Sequence, residues 1–454
     1  MTEHAPLDGP APGLSRRRLL TLAGLGAVGA PVLAACGRLT GGNTAPAPGA
    51  TGGGSVVFLS TQFTPLEEAG KFRTILKGVY PGQVDFVTAD PGPFTDQVRT
   101  AVQTKSGRIS LLGALHGQLA PVAKDLEPLD DVIGQLGDRG YAKNLLQLAK
   151  LGTGNTLYVP WSQATFIMAA HKSALDTLPS GADVNALTYD QLLAWGVALK
   201  AKFGRPVLGL PAGPKGLLHR FWQGFMYPSF TGGAISKFSG PDAAAMWSYA
   251  QKLWQTCAPA STSYDFMQEP MARGEVLVAW DHVARLVNAL NAKPNDFVAF
   301  PAPAGPKGRG FMAVVTALAI PKGGGNKAGA VELIKALTTP QAQVAVLKDL
   351  AFFPATKTSV PSDIGGGIAL EAKAVAAQQQ ASDALLALPP AGLGSKEGEF
   401  TQVYKDLFTA VVLKGTNPTQ ALPGAAQAMQ KLIDAAGATC WEPDPPSTGP
   451  CKVG

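Results

Sequence analysis

Short continuous apolar runs alternate in this chain with longer stretches in which apolar residues recur every three or four positions. Ser55-Val56-Val57-Phe58-Leu59-Ser60 is a run of the first kind, and Leu66, Ala69, Phe72, Ile75, Leu76 and Val79 follow it at helical spacing. The pattern predicts a buried strand and then an amphipathic helix. A second cycle comes next: residues 83–89 form a strand candidate, Phe94, Val98, Ala101 and Val102 mark one helix face, and residues 109–115 form a third strand candidate. This βαβα order predicts a parallel-type sheet with helices on both faces.

The middle of the chain carries stronger local signals. Thr188-Tyr189-Asp190-Gln191 is a capping box, with Leu187 and Leu192 placed as a hydrophobic staple, and it predicts a helix start. A second helix begins near Pro241, with Met246, Trp247, Ala250, Leu253 and Trp254 as its core stripe. Strands are expected over 165–170, 275–280, 297–300 and 314–320. Thr339-Pro340 starts a helix reaching about residue 350, and helical segments dominate to about residue 436.

One apolar run is of another kind. Residues 19–35 follow Ser15-Arg16-Arg17-Arg18 and end at Cys36. A charged segment, an apolar segment and small residues before a cut site form an export signal, and the paired arginines fit its twin-arginine version. The run is shorter than the roughly 20 residues that span a bilayer and contains Pro31, which argues against a retained membrane anchor. Leu33-Ala34-Ala35-Cys36 resembles the bacterial lipobox, and the resemblance implies a cysteine that is acylated and becomes the new N-terminus. The glycines of Gly24-Leu25-Gly26-Ala27-Val28-Gly29 match a dinucleotide-binding pattern, but inside a signal they lack the strand and helix that such a site requires. Residues 37–54 are mainly Gly, Pro, Ala, Thr and Asn and read as a flexible tether.

Composition narrows the picture. Of 454 residues, 46% are hydrophobic and 15% charged, and no second apolar run is long enough to cross a membrane. The net charge of +6 comes from scattered Lys and Arg, without the clusters of a nucleic-acid surface. Cys440 and Cys451 bracket a Pro- and Gly-rich tail, where a disulfide would fix an end with no periodicity of its own, and export permits one. Cys257 is left over and expected to be buried on a helix. Neither C-x-x-C spacing nor a His pair at ligand spacing occurs, so no metal or cofactor is expected.

Several stretches resemble the extracellular solute-binding proteins of carbohydrate ABC transporters, the maltose-binding-protein-like group. Leu126-Glu127-Pro128-Leu129-Asp130-Asp131 is similar to that family's L-x-P-L-D-D, and Leu157-Tyr158-Val159-Pro160-Trp161 to its Y-G-V-P crossover. Gly274-Glu275-Val276-Leu277-Val278 resembles G-x-A-A-M, and Ala317-Leu318-Ala319-Ile320-Pro321-Lys322-Gly323 resembles G-L-A-I-P-K-G. The stretches 330–338 and 340–343 resemble A-W-E-F-L-K-F-L-T and P-E-A-Q. The likeness spans roughly residues 55–433.

The resemblance implies an α/β, two-lobed periplasmic-binding-protein-like fold of type II, with a ligand cleft between lobes joined by hinge strands. The expected organisation is a signal with lipidated Cys36 over 1–36 and a tether over 37–54. A first lobe follows from 55–160 and 304–338, a second from 163–303 and 340–436, and a tail over 437–454. The chain should cross between lobes near 160–163, 300–303 and 338–340. Expected partners are a small-molecule solute, in all expectation a carbohydrate, ABC permease subunits and the lipid of the anchor, with the protein itself a monomer on the outer face of the cell membrane.

Sugars present apolar ring faces and a rim of hydroxyls, so a site should combine aromatic platforms with amides and carboxylates. Residues at strand ends meet that requirement: Gln62 and Phe63 after the first strand, Asp90 after the second and His116 after the third. Trp161 and Gln163 lie at the first crossover, Trp222 and Tyr227 in an unusually aromatic segment, and Trp280 and Asp281 at the end of the G-x-A-A-M strand. Phe311 replaces a glycine of the family pattern, and Phe352 follows the Pro340 helix. Gln62, Trp161 and Tyr227 should face one hollow, and Trp161→Ala should abolish a ligand-induced rise in melting point while sparing the ligand-free melting point. Two other classes stand beside this one: an anchored sensor or wall-interaction protein with the same fold, and an exported glycoside hydrolase. The hydrolase needs two suitably spaced carboxylates, whereas Asp130-Asp131 and Glu67-Glu68 are adjacent and read as solvated surface, so no catalytic activity is expected.

Overall fold

The computed structural model describes residues 54–454. The expected export signal, Cys36 and all of the expected tether except Gly54 lie outside the described residues. In the first lobe, β1 (Val56–Ser60), β2 (Val84–Thr88) and β3 (Leu111–Leu115) pair in parallel, with β1 between the other two. The intervening helices are Leu66–Val79 and Pro91–Gln103. The first of them buries Ala69, Phe72, Ile75 and Leu76. Phe72 lies 4.8 Å from Phe86, 5.6 Å from Trp161 and 6.0 Å from Phe58, ring to ring, so the predicted apolar stripe becomes the first lobe's core.

The chain leaves this lobe through β4 (Val159–Ala164) and continues into β5 (Phe166–His171), with Thr165 as the only residue between them. The second lobe adds β6 (Leu208–Gly209), β7 (Val278–His282) and β8 (Phe297–Phe300), in the order β6-β7-β5-β8. The helix Tyr189–Phe203 starts with the predicted capping box: the Gln191 N–H donates to Thr188 Oγ1 at 3.2 Å, and the Thr188 N–H donates to Gln191 Oε1 at 2.9 Å. β9 (Arg309–Met312) and β10 (Val314–Ala319) carry the chain back. β11 (Phe353–Pro354) joins the first sheet, and β12 (Ala384–Ala387) pairs with β9. The first sheet is therefore mixed: β10 and β11 run opposite to β1–β3, while β4, between them, runs the same way as β1–β3.

The crossings differ from the expected positions. The first is at Thr165. The second falls at Ala313 rather than near 300–303, because β9 still belongs to the second lobe: the Gly310 N–H donates to Ser229 Oγ at 2.8 Å, and a side chain at Gly310 would meet the Phe225 carbonyl. The third lies beyond Pro354 rather than at 338–340. The helix Pro340–Leu350 packs on the helix Leu66–Val79 and leads into β11, so these residues lie with the first lobe.

One amide ties the crossings together. The buried Gln378, on the helix Gly366–Gln380, donates to the Phe166 carbonyl at 3.1 Å and to Thr165 Oγ1 at 3.3 Å, and accepts from the Ala302 N–H at 2.9 Å. Thr165 Oγ1 donates to the Met312 carbonyl at 2.7 Å. Val287, Leu347, Ala351, Ile364 and Ile368 form a separate apolar cluster around the third connection.

Beyond the helix Pro418–Ala436, Cys440 and Cys451 form a disulfide with Cα atoms 4.6 Å apart. Asp444 then accepts from the N–H groups of Ala234, Ile235 and Ser236 at 3.1, 2.7 and 2.9 Å, which fastens the tail to the second lobe. Opening this short loop with Cys440→Ser is expected to lower stability by about 3 kcal/mol, read as a fall in the thermal midpoint that reductant does not deepen further. Cys257 is buried and outside any disulfide among the described residues, on an isolated bridge to Leu208 rather than on a helix, and burial pushes its thiol pKa up. Among the described residues no helix is long and apolar enough to cross a membrane.

Candidate functional site between the lobes

The first lobe's wall of the cleft grows from the carboxyl ends of β1 and β3, where an open α/β sheet presents its ligand loops. Thr61, Gln62, Phe63 and Thr64 follow β1 directly. Phe63 has φ of +56°, a left-handed conformation that a bulky side chain adopts only under constraint. The constraint is packing: its ring lies 4.7 Å from Phe72, 5.1 Å from Phe352 and 6.1 Å from Trp161. Gln118, on the short helix after β3, accepts from Thr61 Oγ1 at 2.7 Å and from the Leu115 N–H at 3.1 Å. Gln62 Nε2 donates to Thr61 Oγ1 at 2.9 Å.

The opposite wall belongs to the second lobe. Glu397, the first residue of the helix Glu397–Leu407, receives Gln118 Nε2 at 3.2 and 3.4 Å and Arg220 Nη2 at 3.2 Å. Arg220 Nη1 also donates to Gln223 Oε1 at 2.9 Å. The Arg220 and Glu397 side chains are only 11% and 8% exposed, so this chain of polar groups bridges the lobes in a nearly dry setting, where such bonds are strong.

His282 ends β7. Its Nδ1 accepts from the Ala284 N–H at 3.2 Å, and burial, aided by Arg285, pushes its pKa down to about 3. The ring is therefore neutral at physiological pH, with its proton on Nε2 as a hydrogen-bond donor. Arg285 stacks on Phe266, with Cζ 4.3 Å from the ring centroid, and Nη1 donates to the Asp265 carbonyl at 3.4 Å. Burial lowers its pKa, with Asp281, Glu68 and Asp265 opposing that shift. Across the cleft, burial raises the pKa of Glu68 while Arg285 and Lys71 lower it.

These walls enclose a cavity of about 200 Å³ whose lining includes Gln62, Phe63, Gln118, Arg220, His282 and Arg285. One end is shut by the loop after β12: the Gly392 N–H donates to the Gly117 carbonyl at 3.1 Å, and a methyl group at Gly117 would collide with the Pro390 carbonyl. Gly117→Ala is accordingly expected to hold the lobes apart and weaken solute binding at least about tenfold while leaving each lobe folded, as read by titration calorimetry beside circular dichroism.

Of the residues singled out from the sequence, the structure brings Gln62, Phe63 and Phe352 to this cavity. The rest lie elsewhere. Asp90 is exposed before the helix Pro91–Gln103, and only the next residue, Pro91, reaches the cavity. His116 is bound through Nδ1 to the Tyr158 hydroxyl at 3.0 Å, and burial pushes its pKa down to about 4. Gln163 Nε2 donates to the Pro354 carbonyl at 3.2 Å, tying β4 to β11. Trp161 lies behind Phe63 in the first core, so Gln62, Trp161 and Tyr227 share no hollow.

In the second lobe, Trp222 packs on Trp247 at 4.6 Å, and Tyr227 donates to the Phe238 carbonyl at 2.9 Å. Trp280 stacks at 4.7 Å on the cavity residue Phe166 and stands behind the wall. Asp281 is fully buried, accepts from the N–H groups of Met267 and His282 at 2.9 and 2.7 Å, and burial pushes its pKa up to about 7. Phe311 is buried on β9. The physical reason is common to most of them: large aromatic rings gain most by full burial, and the cleft wall is left to shorter polar groups.

Gln118, Arg220, Arg285, Glu397 and Glu68 were missed as site residues. His282 directly follows the candidates Trp280 and Asp281, and Gln118 had a signal in standing just after a strand end. Glu397 had none, being 279 positions from the Gln118 it meets. Of the pair Glu67-Glu68 expected on the surface, Glu67 is exposed and pairs with Lys71 at 2.9 Å, whereas Glu68 faces the cleft.

Two α/β lobes, three connections and a polar cavity between them define a two-lobed solute-binding protein. The chain belongs to the bacterial extracellular solute-binding protein family, which residues 81–344 match. No curated protein sequence matches it significantly. Similar solved structures include a maltose-bound MalE3 from T. maritima, 17% identical with a TM-score of 0.67, covering 84% of this chain and 100% of that one. The GacH receptor of Streptomyces glaucescens, solved unliganded and with acarbose, is 16% identical with a TM-score of 0.65 over 83% of this chain and 98% of its own. A solute-binding protein from Thermotoga lettingae bound to α-D-tagatose is 18% identical with a TM-score of 0.61 over 83% and 99%.

Proposed function

We propose that this protein is the substrate-binding component of an ABC importer, which captures a sugar by closure of its two lobes and delivers it to the permease. The observation that carries this reading is the cavity itself, whose polar lining is shared between the lobes and bridged from Gln118 to Glu397. A solute touching both walls binds the closed form better than the open one, and that difference is what drives closure. Maltose, acarbose and tagatose, the solutes of three similar structures, support a carbohydrate, although a fourth holds glycerophosphocholine. The paired arginines and Leu33-Ala34-Ala35-Cys36 support export and acylation of Cys36, which would hold a monomer on the outer face of the membrane beside the permease.

A thermal-shift screen of residues 37–454 against mono-, di- and trisaccharides and polyols tests the function. Ligand at one hundred times Kd adds about 2.7 kcal/mol to the stability of the native state. A rise in melting point with at least one sugar, lost in Arg220→Ala, is the expected result. Absence of any rise across the panel, with a rise for a solute of another class, rules out the sugar. Radiolabelled palmitate incorporation that persists in Cys36→Ala would rule out the anchor.

A further inference from the structure

Building on the solute-capture reading, we infer that the ligand is a single neutral hydroxylated ring, or a polyol of that size, held by charge-assisted hydrogen bonds from both lobes rather than by stacking on aromatic faces. Size is the first argument. The cavity measures about 200 Å³, and the hollow that adjoins it at Glu68 and Arg285 adds about 50 Å³. An apolar cavity of about 150 Å³ holds one benzene ring, so the walled part of the cleft suits one substituted six-membered ring. A longer chain cannot run out past Gly117, where Pro390 and Gly392 close the end.

The lining supplies the second argument. Its aromatic residues, Phe63, Phe166 and Phe352, are 3%, 2% and 5% exposed. One face of Phe166 is covered by Trp280, stacked at an interplanar angle of 5°. A stacked sugar needs an open ring face, and none of these offers one. What the cavity does offer is polar. Carboxylates only accept and guanidinium groups only donate, whereas a hydroxyl does both. A hydroxyl placed between Glu68 and Arg285, or beside Arg220 and Glu397, satisfies both members of a pair, and such charge-assisted bonds are roughly twice as strong as neutral ones.

Arg285 has donors to give. Among the described residues its one hydrogen bond is the 3.4 Å contact to the Asp265 carbonyl, and no carboxylate oxygen lies within ion-pair distance of it. Phe266 beneath the guanidinium fixes its plane. In the larger cavity each arginine of the lining is matched by a glutamate, so that part of the site has no excess charge with which to select an ion.

Titration calorimetry on residues 37–454 tests this with matched series: glucose, maltose and maltotriose; xylose, xylobiose and xylotriose; sorbitol; and glucuronate as the charged control. The tightest ligand should be a monosaccharide or the polyol, with each added sugar unit weakening binding at least about tenfold. Arg285→Gln and Glu68→Gln should each weaken that ligand at least about tenfold, and Phe352→Leu, which removes no hydrogen bond, should weaken it less than either. Glu68 lies on the first lobe and does not support Phe266, so its variant keeps the test valid should Arg285→Gln fold poorly. A di- or trisaccharide binding tighter than its own monomer, glucuronate binding tighter than glucose, or a greater loss in Phe352→Leu than in Glu68→Gln overturns the inference while leaving sugar capture standing. If none of these solutes binds but a non-carbohydrate does, the sugar assignment falls and this inference falls with it.

Discussion

Trp161→Ala should lower the stability of the ligand-free protein by about 3–5 kcal/mol, measured by urea unfolding. Trp161 is 1% exposed and packs against Phe72 and Phe63 in the first lobe's core. Removing it leaves a cavity that the stiff β4 backbone cannot collapse to fill. The effect extends to the site, because Phe63 holds its left-handed conformation only through neighbours such as this ring. Solute affinity should therefore fall together with stability. Trp161→Phe separates the terms: it keeps most of the apolar contact and removes an indole N–H that is buried without a partner, so its loss should be much smaller than that of the alanine variant. A ligand-free stability unchanged in Trp161→Ala would return this residue to the cleft.

Glu371→Met should stabilise the protein by about 1–3 kcal/mol at neutral pH. Glu371 is fully buried on the helix Gly366–Gln380, and neither carboxyl oxygen has a hydrogen-bond partner among the described residues. Burial holds its pKa well above the usual carboxylate range, which favours the protonated form in the folded protein. An unfolded chain releases that proton near the ordinary glutamate value of about 4.3. Above that pH the unfolded state binds fewer protons than the folded state, and stability falls as pH rises towards the folded-state pKa. Below it both states are protonated and this contribution is fully present. Methionine has nothing to ionise, so the advantage of Glu371→Met should grow as pH rises above about 4, as thermal midpoints measured across the stable pH range would report. A gain independent of pH, or a loss at neutral pH, would contradict a protonated Glu371.

Much of the architecture was legible from periodicity and capping because those signals are local. The strand over 297–300, the capped helix at Thr188 and the helix at Pro340 form where the sequence places them. The crossings were less legible. Whether β9 belongs with one lobe or the other depends on Ser229 meeting Gly310, a contact between positions 81 apart. No window of sequence holds that information. The site suffered from a second effect: aromatic residues near strand ends looked like platforms for a sugar, yet Trp161, Trp222, Tyr227 and Trp280 are the rings that the cores bury. Amide and charged side chains, which are common at any surface, line the cavity, and only the fold reveals which of them converge.

That convergence also shows how a hinge and a site can be coupled. Gln378 bonds to Thr165 and Phe166 at the first connection, Thr165 bonds to Met312 beside the second, and Arg285, His282 and Phe352 line the cavity next to them. A solute that draws the Glu68 wall towards Arg285 loads the very strands whose backbone must turn. The most direct measurement is a crystal structure of the protein with the tightest sugar found by the screen. The predicted result is one bound molecule enclosed between Gln62 and Gln118 on one side and Arg220, His282 and Arg285 on the other. A sugar bound on the outside of either lobe, touching only one of them, would contradict capture by closure.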